Sequence, residues 1–312
     1  MKAAQFQKLI EQLGELTPEQ REALAKALAG GSDAAETTAL IEARFADKAT
    51  CPHCQGEGQK WGFAAGLRRY RCRSCKTSFN ALTRTPLANL KKRDKLAAYG
   101  QAMADGLSLR KAARRVGIDL TTAFDWRHRL LKLPTRDKPK KLEGVVEADE
   151  TYFLESEKGS RKLKRKPRKR GGKAAKRGLS HEQIPVMVTR DRSGITLTEV
   201  LPDTTAASIG RVLDPIVAKD AALVSDGAKA YRTFANATHR LHIALVTSAG
   251  EHTWGTYHIQ NVNAYTSGLK GWMARFKGVA TSYLPHYLGW HRKLEREGDS
   301  LGRMGYVAAA LA

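Results

Sequence analysis

Acidic residues are scarce in this sequence. Its 312 residues include 31 Asp and Glu against 54 Lys and Arg, which gives a formal net charge of +23. Self-repulsion of this size opposes compaction, and a protein usually carries it because its partner is a polyanion. We therefore expect DNA or RNA as the partner. A ribosome-associated protein would also bind a nucleic acid and belongs to the same expectation. Binding to an anionic membrane surface is a third and weaker alternative.

Long apolar runs are also missing. No stretch approaches the ~18 apolar residues that a membrane-spanning helix requires. The segment MKAAQFQKLIEQLGELTPEQ carries charges among its apolar positions, which is unlike a signal peptide. We expect a cytoplasmic chain of bacterial origin, associated with the nucleoid and without a membrane partner. A hydrophobic content of 42% predicts a folded protein, and the length allows two or three domains.

Only four cysteines are present, and they form two pairs. Each pair has the spacing Cys-x2-Cys, and seventeen residues separate the pairs. In a reducing compartment such cysteines are more often metal ligands than disulfides. The spacing predicts a zinc ribbon over residues 47–85, in which one structural Zn²⁺ has four thiolate ligands, Cys51, Cys54, Cys72 and Cys75. His53 lies inside the first pair and is expected to be a bystander.

Basic side chains surround Tyr70 in the second half of this ribbon. Alternatively, these basic residues belong to an ordinary solvent-exposed strand and have no specific function. Their density suits contact with DNA phosphates through Arg68, Arg69, Arg71 and Arg73.

Helical patterns occupy residues 1–46, a segment to which we assign no function, and residues 91–132. In LSLRKAARRVGIDLTTAFDWRHRLLK, two helical stretches flank a turn at Gly117. This predicts a helix-turn-helix whose second helix enters the major groove of DNA. The basic residues expected on or beside the DNA side are Arg127, His128 and Arg129. A plain helical bundle is the alternative.

The pattern changes after residues 133–144, whose two prolines predict a linker. The stretches VVEADETYF, IPVMVTRDR, GITLTEVL, AALVSDG and LHIALVT have the character of strands. Helical stretches follow at 204–219, 258–277 and 284–296. Strands that alternate with helices after an initial hairpin predict an α/β fold with a mixed sheet over residues 145–300.

Carboxylates are expected at the ends of two of these strands. Asp149 belongs to the first strand and Asp226 follows the fourth, so both can reach one crevice at the edge of the sheet. Such a pair can hold Mg²⁺, and two ions about 3.5–4 Å apart can promote in-line displacement at a phosphate. The alternatives are an ordinary Asp-Gly turn at 226–227 and surface positions for Glu147 and Glu150.

A strongly basic segment lies between the first two strands. Twelve Lys and Arg occur from Lys158 to Arg177 without an acid among them. We expect this insertion, 158–177, to track the DNA backbone and to impose a steep salt dependence on binding. The alternative is a disordered insertion without specific contacts. The residues assigned to DNA are Lys164, Arg165, Lys166, Arg168, Lys169 and Arg170.

From about residue 45 to 296 the chain resembles DDE-type insertion-sequence transposases. The closest resemblance is to the fifteen-ninety-five family of insertion sequences, which places a zinc ribbon and a helix-turn-helix ahead of an RNase H-like core. VEADETYF resembles the first-acid strand of that family and VSDGAKAY its second-acid segment, which assigns catalysis to Asp149 and Asp226. YHIQNVNAYTSGLKGWM resembles the third segment, where most DDE enzymes carry Glu and, seven residues later, Lys or Arg. Asn263 and Lys270 occupy those positions here, and some members of this branch have Asn.

The resemblance also implies a cofactor for these residues. Asp149, Asp226 and Asn263 would bind Mg²⁺ or Mn²⁺, two ions in all, with one negative charge fewer than a site containing Glu. Lys270 would contact a phosphate of the substrate. Alternatively, Lys270 is an ordinary solvent-exposed lysine of the helix. His258 and Asn261 lie within about one turn of Asn263 and could be supporting groups or alternative ligands.

The implied reaction is cleavage of double-stranded DNA at terminal inverted repeats, followed by attack of the freed 3′-hydroxyl on target DNA. Two ends must be joined, so we expect a homo-oligomer, at least a dimer on DNA. Two alternatives stay open. One is a catalytically inactive DNA-binding regulator or decayed transposase, which Asn263, Thr266 and Gly268 could indicate. The other is an RNase H-like nuclease that cuts without joining.

Overall fold

A computed structural model describes residues 3–163, 165–167, 172, 174–176, 180–246 and 249–311. The chain forms two compact units, one of Met1–Leu130 with Asp299–Ala312 and the other of Leu131–Gly298. Within the residues that the structure describes, no helix is long and apolar enough to cross a bilayer.

The chain begins with two helices, α1 (Ala3–Gln12) and α2 (Pro18–Ala43). Thr17 caps α2 because its hydroxyl accepts from the backbone N–H of Gln20 (3.3 Å). The Gln20 side chain in turn accepts from the backbone N–H of Thr17 (2.9 Å). This reciprocal pair satisfies two N–H groups that the start of a helix leaves unpaired.

A three-stranded antiparallel sheet follows, formed by β1 (Gly58–Ala64), β2 (Leu67–Cys72) and β3 (Ser78–Phe79). Its apolar interior consists mainly of three aromatic rings, Phe45, Tyr70 and Phe79, whose centroids lie 5.5–5.7 Å apart. An interior this small does not stabilise an independent module. A metal ion is the usual compensation.

The four cysteines converge at one end of this sheet, where their sulfur atoms all lie within 4.8 Å of one another. Sγ of Cys51 lies 3.7 Å from Sγ of Cys75, and Sγ of Cys54 lies 3.4 Å from Sγ of Cys72. Tetrahedral Zn–S bonds of about 2.3 Å would place the sulfurs ~3.8 Å apart. The donor set and its spacing therefore fit one structural Zn²⁺, as predicted.

The rest of the first unit is helical: α3 (Leu96–Ala104), α4 (Leu109–Val116), α5 (Leu120–Leu130) and, far along the chain, α11 (Gly305–Leu311). Gly117 ends α4 in the left-handed region (φ +67°), as the sequence indicates. Tyr99 and Trp126 pack edge to face in the core. The C-terminal segment packs closely on α3, because a Cβ at Gly100 would collide with the carbonyl oxygen of Arg303.

The second unit contains a five-stranded sheet in the order β6-β5-β4-β7-β8. Its strands are β4 (Val145–Leu154), β5 (Gln183–Asp191), β6 (Thr196–Val200), β7 (Ala222–Ser225) and β8 (His242–Ala244). The pairs β4–β5 and β5–β6 are antiparallel, whereas β4–β7 and β7–β8 are parallel. This confirms the predicted α/β class with a mixed sheet.

Helices cover both faces of this sheet. Ala148 of β4 packs with α7 (Ala206–Leu213) and α8 (Lys229–Thr238). The alternate residue Glu147 points to the other face, where α9 (Gln260–Ala274) contacts β4 and β5. There α10 (Leu284–Glu297) contacts β6, and the short strands β9 (Thr253–Trp254) and β10 (Tyr257–His258) precede α9.

The prediction of a linker at 133–144 is wrong. Residues Lys132–Arg136 form helix α6, and Leu142 is fully buried. The N–H of Leu142 donates to the carbonyl of Ile216 (2.7 Å), so the segment is tied to the second unit. Buried Arg292 donates to the carbonyls of Pro134 (3.2 Å) and Asp137 (3.1 Å). The domain therefore begins near residue 131 rather than at 145.

We expect removal of zinc to unfold the ribbon selectively, because residues 49–80 have too small an apolar core to stay folded without the metal. Amide hydrogen exchange after treatment with a strong chelator should show lost protection in β1, β2 and β3. The amides of β4, β5 and β7 serve as the internal control and should keep their protection. A ribbon that stays protected after the loss of its metal would contradict this prediction.

Candidate functional site

The carboxylate of Asp149 on β4 lies close to that of Asp226, which directly follows the parallel neighbouring strand β7. The pairing of β4 with β7 runs from Val145 opposite Ala222 to Glu147 opposite Val224. The same register, continued by two residues, places Asp149 beside Asp226. Their charges interact, since Asp226 contributes to raising the pKa of Asp149. The structure thus brings together two of the predicted site residues that are far apart in sequence.

Burial is the main influence on Asp149. Chiefly through burial, the pKa of this carboxyl is raised to about 6, and the negative charge of Asp226 acts in the same direction. The backbone N–H of Glu150, which donates to Oδ1 of Asp149 (2.8 Å), opposes the shift, as does the charge of Lys270. Crowded carboxylates with raised pKa values favour a divalent cation, which replaces the proton and offsets the repulsion.

The turn after β7 fixes Asp226. Its Oδ1 accepts from the backbone N–H of Ala228 (3.0 Å). Gly227 has φ +84°, where a side chain would be strained. Ser225 is fully buried, and its hydroxyl lies 3.0 Å from Nε2 of half-buried His242. The Asp-Gly pair is a turn, and that turn holds its carboxylate next to Asp149.

A third carboxylate, Glu150, lies on the opposite face of β4. The hydroxyl of Tyr231, fully buried on α8, donates to Oε1 of Glu150 (2.6 Å). Burial raises the pKa of Glu150 to about 7; the Tyr231 bond lowers it, and the charges of Asp149 and Asp226 raise it. Glu150 is not a surface residue, and its bond to Tyr231 ties β4 to the helix that follows Asp226.

Glu147 is also buried rather than exposed, with 1% of its side chain accessible. Its carboxylate accepts from the backbone N–H of Val262 (3.0 Å) and from the Asn261 amide (2.7 Å), both in the first turn of α9. The guanidinium of Arg192 lies 2.9 Å from Oε1 of Glu147 and also contacts His258. The negative charge suits the N-terminus of a helix. Glu147 therefore anchors α9 to β4, two residues before Asp149.

The two remaining predicted residues lie on this anchored helix. Asn263 and Lys270 are both exposed, seven residues apart, which places them on one side of α9. Asn263 directly follows Val262, which Glu147 holds. Lys270 is close enough to Asp149 to lower the pKa of that carboxyl. Along α9, Asn263 therefore lies between the residues that bond to Glu147 and the lysine whose charge acts on Asp149.

The basic insertion begins next to the end of α9. The Lys158 ammonium donates to the carbonyls of Phe276 (3.0 Å) and Gly278 (2.7 Å), just beyond the C-terminus of that helix. A cavity of about 920 Å³ lies between the insertion and α9, with Leu154, Lys270 and Met273 in its wall. The start of the positive segment therefore lies beside the end of α9, the helix that carries Lys270.

Arg127 does not lie on a DNA-facing surface, which corrects the prediction. It is fully buried, and Nη2 donates to the carbonyl of Leu107 (2.7 Å). His128 is buried as well. Arg129 is partly exposed, but it pairs with Asp125 (2.8 Å) and donates to the carbonyl of Ala88 (2.9 Å). Arg127 and His128 face the interior because α5 packs against α4 and α11.

The other predicted DNA contacts differ in their surroundings. Arg68, Arg69 and Arg71 are partly exposed on β2. Arg165 pairs with Glu155 (3.2 Å), and Lys166 is exposed. Four of the predicted residues lie outside the described part of the chain: Lys164, Arg168, Lys169 and Arg170.

Sequence reasoning missed the groups that support the site, namely Glu147, Arg192 and Tyr231. Glu147 precedes Asp149 by two residues, so strand alternation alone could have placed it on the same face. Asn261 and His258 were expected to be supporting groups or alternative ligands of the site. The Asn261 amide lies 2.7 Å and Nδ1 of His258 3.5 Å from Oε1 of Glu147, whereas no pattern in the sequence pointed to Arg192.

Residues 141–290 match a family model described as the ISXO2-like transposase domain, and residues 31–78 match one described as the transposase zinc-ribbon domain. A search of curated proteins finds no match. Among solved structures, the chain is similar to a simian T-cell lymphotropic virus intasome in complex with PP2A regulatory subunit B56 gamma. That likeness has 10% identity, covers 63% of this chain and 67% of that one, and has a TM-score of 0.29.

The chain is also similar to the Mos1 transposase in its paired-end complex with the left transposon end. This likeness has 13% identity, covers 64% of this chain and 76% of that one, and has a TM-score of 0.22. TM-scores this low do not define a shared fold.

Replacing Glu147 by Gln should destabilise the second unit. The amide oxygen of Gln can still accept from Val262, but its NH2 group would face the donors of Asn261 or Arg192. The NH2 group at position 147 would then be buried without an acceptor, which costs about 1–3 kcal/mol. Urea denaturation would measure the loss against Glu143→Gln, an exposed glutamate in the same segment that should have no measurable effect. Equal stabilities of the two variants would show that Glu147 does not anchor α9.

Proposed function

The chain belongs to the ISXO2-like family of insertion-sequence transposases, the fifteen-ninety-five family, and from this premise we propose that it cuts and joins DNA at the carboxylates of its second unit. The substrate is double-stranded DNA: the terminal inverted repeats of the element, then the target. The reaction is phosphoryl transfer in two steps, cleavage at the element end and attack by the freed 3′-hydroxyl.

The observation that carries this proposal is the proximity of Asp149 and Asp226, which follows when the register of β4 and β7 is continued by two residues. The sheet order β6-β5-β4-β7-β8, with the central strand β4 antiparallel to β5 and parallel to β7, supports an RNase H-like core. Strand ends that carry acids at such a centre suit oxygen-ligated cations.

Each residue has a distinct role in this proposal. Asp149 and Asp226 would hold the cations through carboxylate oxygens, and Asn263 would contribute a neutral amide oxygen. Bound Mg²⁺ or Mn²⁺ would supply Lewis-acid activation and neutralise charge at the phosphate. Lys270 binds a phosphate oxygen of the substrate and orients it. No side chain forms a covalent bond with DNA, so positioning and electrostatics lower the barrier.

The remaining basic regions hold the DNA. The ribbon and the helix pair α4–α5, acting as a helix-turn-helix, recognise the element ends. The insertion that begins at Lys158 tracks the backbone beside the site. Because Arg127 is buried and Arg129 is bonded within the chain, base contacts from α5 would come from its exposed residues, such as Thr121 and Phe124. Joining two ends requires at least two copies of the chain on the DNA.

Cleavage of a labelled duplex that carries the element's terminal repeat tests the proposal. With Mg²⁺ or Mn²⁺, Asp149→Asn and Asp226→Asn should each lose roughly 100-fold or more in rate, because each removes a charged ligand. Asp220→Asn, at an exposed aspartate of the same unit, is the matched control and should retain activity.

Equal cleavage by all of these variants would point to a contaminating nuclease and favour a DNA-binding regulator. Cleavage without strand-transfer products would favour a nuclease that cuts without joining.

Asn263→Glu should bind Mg²⁺ more tightly than the parent, by roughly tenfold, because a carboxylate adds one charge to the ligand set. Calorimetric titration measures this binding without relying on activity. Ala264→Glu adds the same charge at an exposed neighbour on another side of α9 and should leave the affinity unchanged. If both variants bind Mg²⁺ alike, Asn263 is not a ligand.

A further inference from the structure

The hairpin of the zinc ribbon has an unusual exposed face. Trp61 and Phe63 of β1 are 44% and 67% exposed. Each ring is covered by an arginine of β2, with the Arg71 guanidinium 4.9 Å from the Trp61 centroid and that of Arg68 4.7 Å from the Phe63 centroid. We call Trp61, Phe63, Arg68 and Arg71 the ribbon face.

Local backbone geometry produces this face. Phe63 pairs directly with Arg68, and the register shifts between Lys60 and Phe63. The bulge includes Gly62 (φ +83°) and adds a residue to β1, which places Trp61 within reach of Arg71. The strand is exposed from Gln59 to Ala64, while Tyr70 and Cys72 of β2 form the ribbon core.

Stacking on a ring is compatible with hydrogen bonding by the same arginine. A guanidinium contacts an aromatic ring through its face, and its N–H donors lie in its own plane. Nε of Arg71 donates to the carbonyl of Lys76 (3.3 Å), which helps to hold this guanidinium beside Trp61. The ribbon face thus offers planar donors next to apolar ring edges.

The charge around this face indicates the partner. Lys60, Arg69 and Arg73 lie on the same hairpin, and the nearby Glu57 is paired with Arg73 (3.4 Å). An apolar protein partner would leave these cations without a counterpart, whereas DNA supplies phosphates for them.

We propose that the ribbon face enters the major groove of duplex DNA and reads bases there, an inference that rests on the proposed function. The major groove admits a two-stranded β-ribbon, guanine edges accept from arginine, and thymine methyl groups offer apolar contact to rings. One face of each ring is already covered by a guanidinium, so an unpaired base cannot stack on that face. The ring edges stay accessible, and they suit contact with thymine methyl groups in a duplex.

The test is selection of bound sequences from a random-sequence duplex pool by the full chain with zinc. The wild type should enrich a motif. Trp61→Ala/Phe63→Ala should lose sequence preference at thymine-containing positions and bind the enriched duplex about tenfold or more weakly. Its salt dependence should stay unchanged. Arg68→Ala/Arg71→Ala should also reduce the slope of log affinity against log salt by about 1 for each phosphate that the variant no longer binds.

The matched control is Leu241→Ala, which truncates a residue 57% exposed in the other unit and should enrich the same motif. Zinc content and circular dichroism confirm that each variant is folded.

If Trp61→Ala/Phe63→Ala enriches the wild-type motif with wild-type affinity, the ribbon-face proposal is wrong while the proposed function stands. Tighter binding to single strands than to duplex would also overturn it. A wild type that enriches no motif would refute end recognition as well.

Discussion

The buried carboxylate of Glu147 is the contact on which the geometry of the site depends. It bonds to the first turn of α9 and to Arg192, so three segments that are distant in sequence meet at one side chain. Asn263 and Lys270 are exposed on that helix. Their placement relative to Asp149 therefore follows from the position at which Glu147 fixes α9. Because Glu147 already has several donors, it is a poor candidate for a metal ligand.

The site opposes the electrostatic trend of the whole chain. A formal charge of +23 surrounds a small cluster in which Asp149 and Glu150 have raised pKa values, mainly because they are buried. Burying adjacent carboxylates is unfavourable unless a proton or a cation neutralises them. In the proposed function, the positive surroundings would attract DNA, and the negative centre would hold the divalent cations. The acidic residues Asp149 and Glu150 and the basic insertion that begins at Lys158 are neighbours in the sequence.

Much of the fold could be predicted because its patterns are local. Strand alternation in VVEADETYF, the cysteine spacing and the cap at Thr17 each depend on residues close in sequence. The errors came from tertiary packing. Residues 133–144 look like a linker by composition, but Arg292, more than one hundred residues later, binds their carbonyls. Arg127 looks like a surface residue, yet it is buried because α5 packs on other helices of the first unit. The pairing of Asp149 with Asp226 required only parallel neighbouring strands, which the sequence suggested.

Asn263 bears on whether the site has decayed. A catalytic centre that had lost its function would be free to lose the costly groups around it, since replacing buried carboxylates by apolar residues is often neutral or stabilising. Here the supporting contacts are intact: Tyr231 holds Glu150, Ser225 and His242 support the turn of Asp226, and Glu147 holds α9. These contacts keep the acidic groups in place, and they also tie β4 to α8 and α9. In the proposed function, Asn263 is a neutral third ligand of a site that holds its cations with less charge.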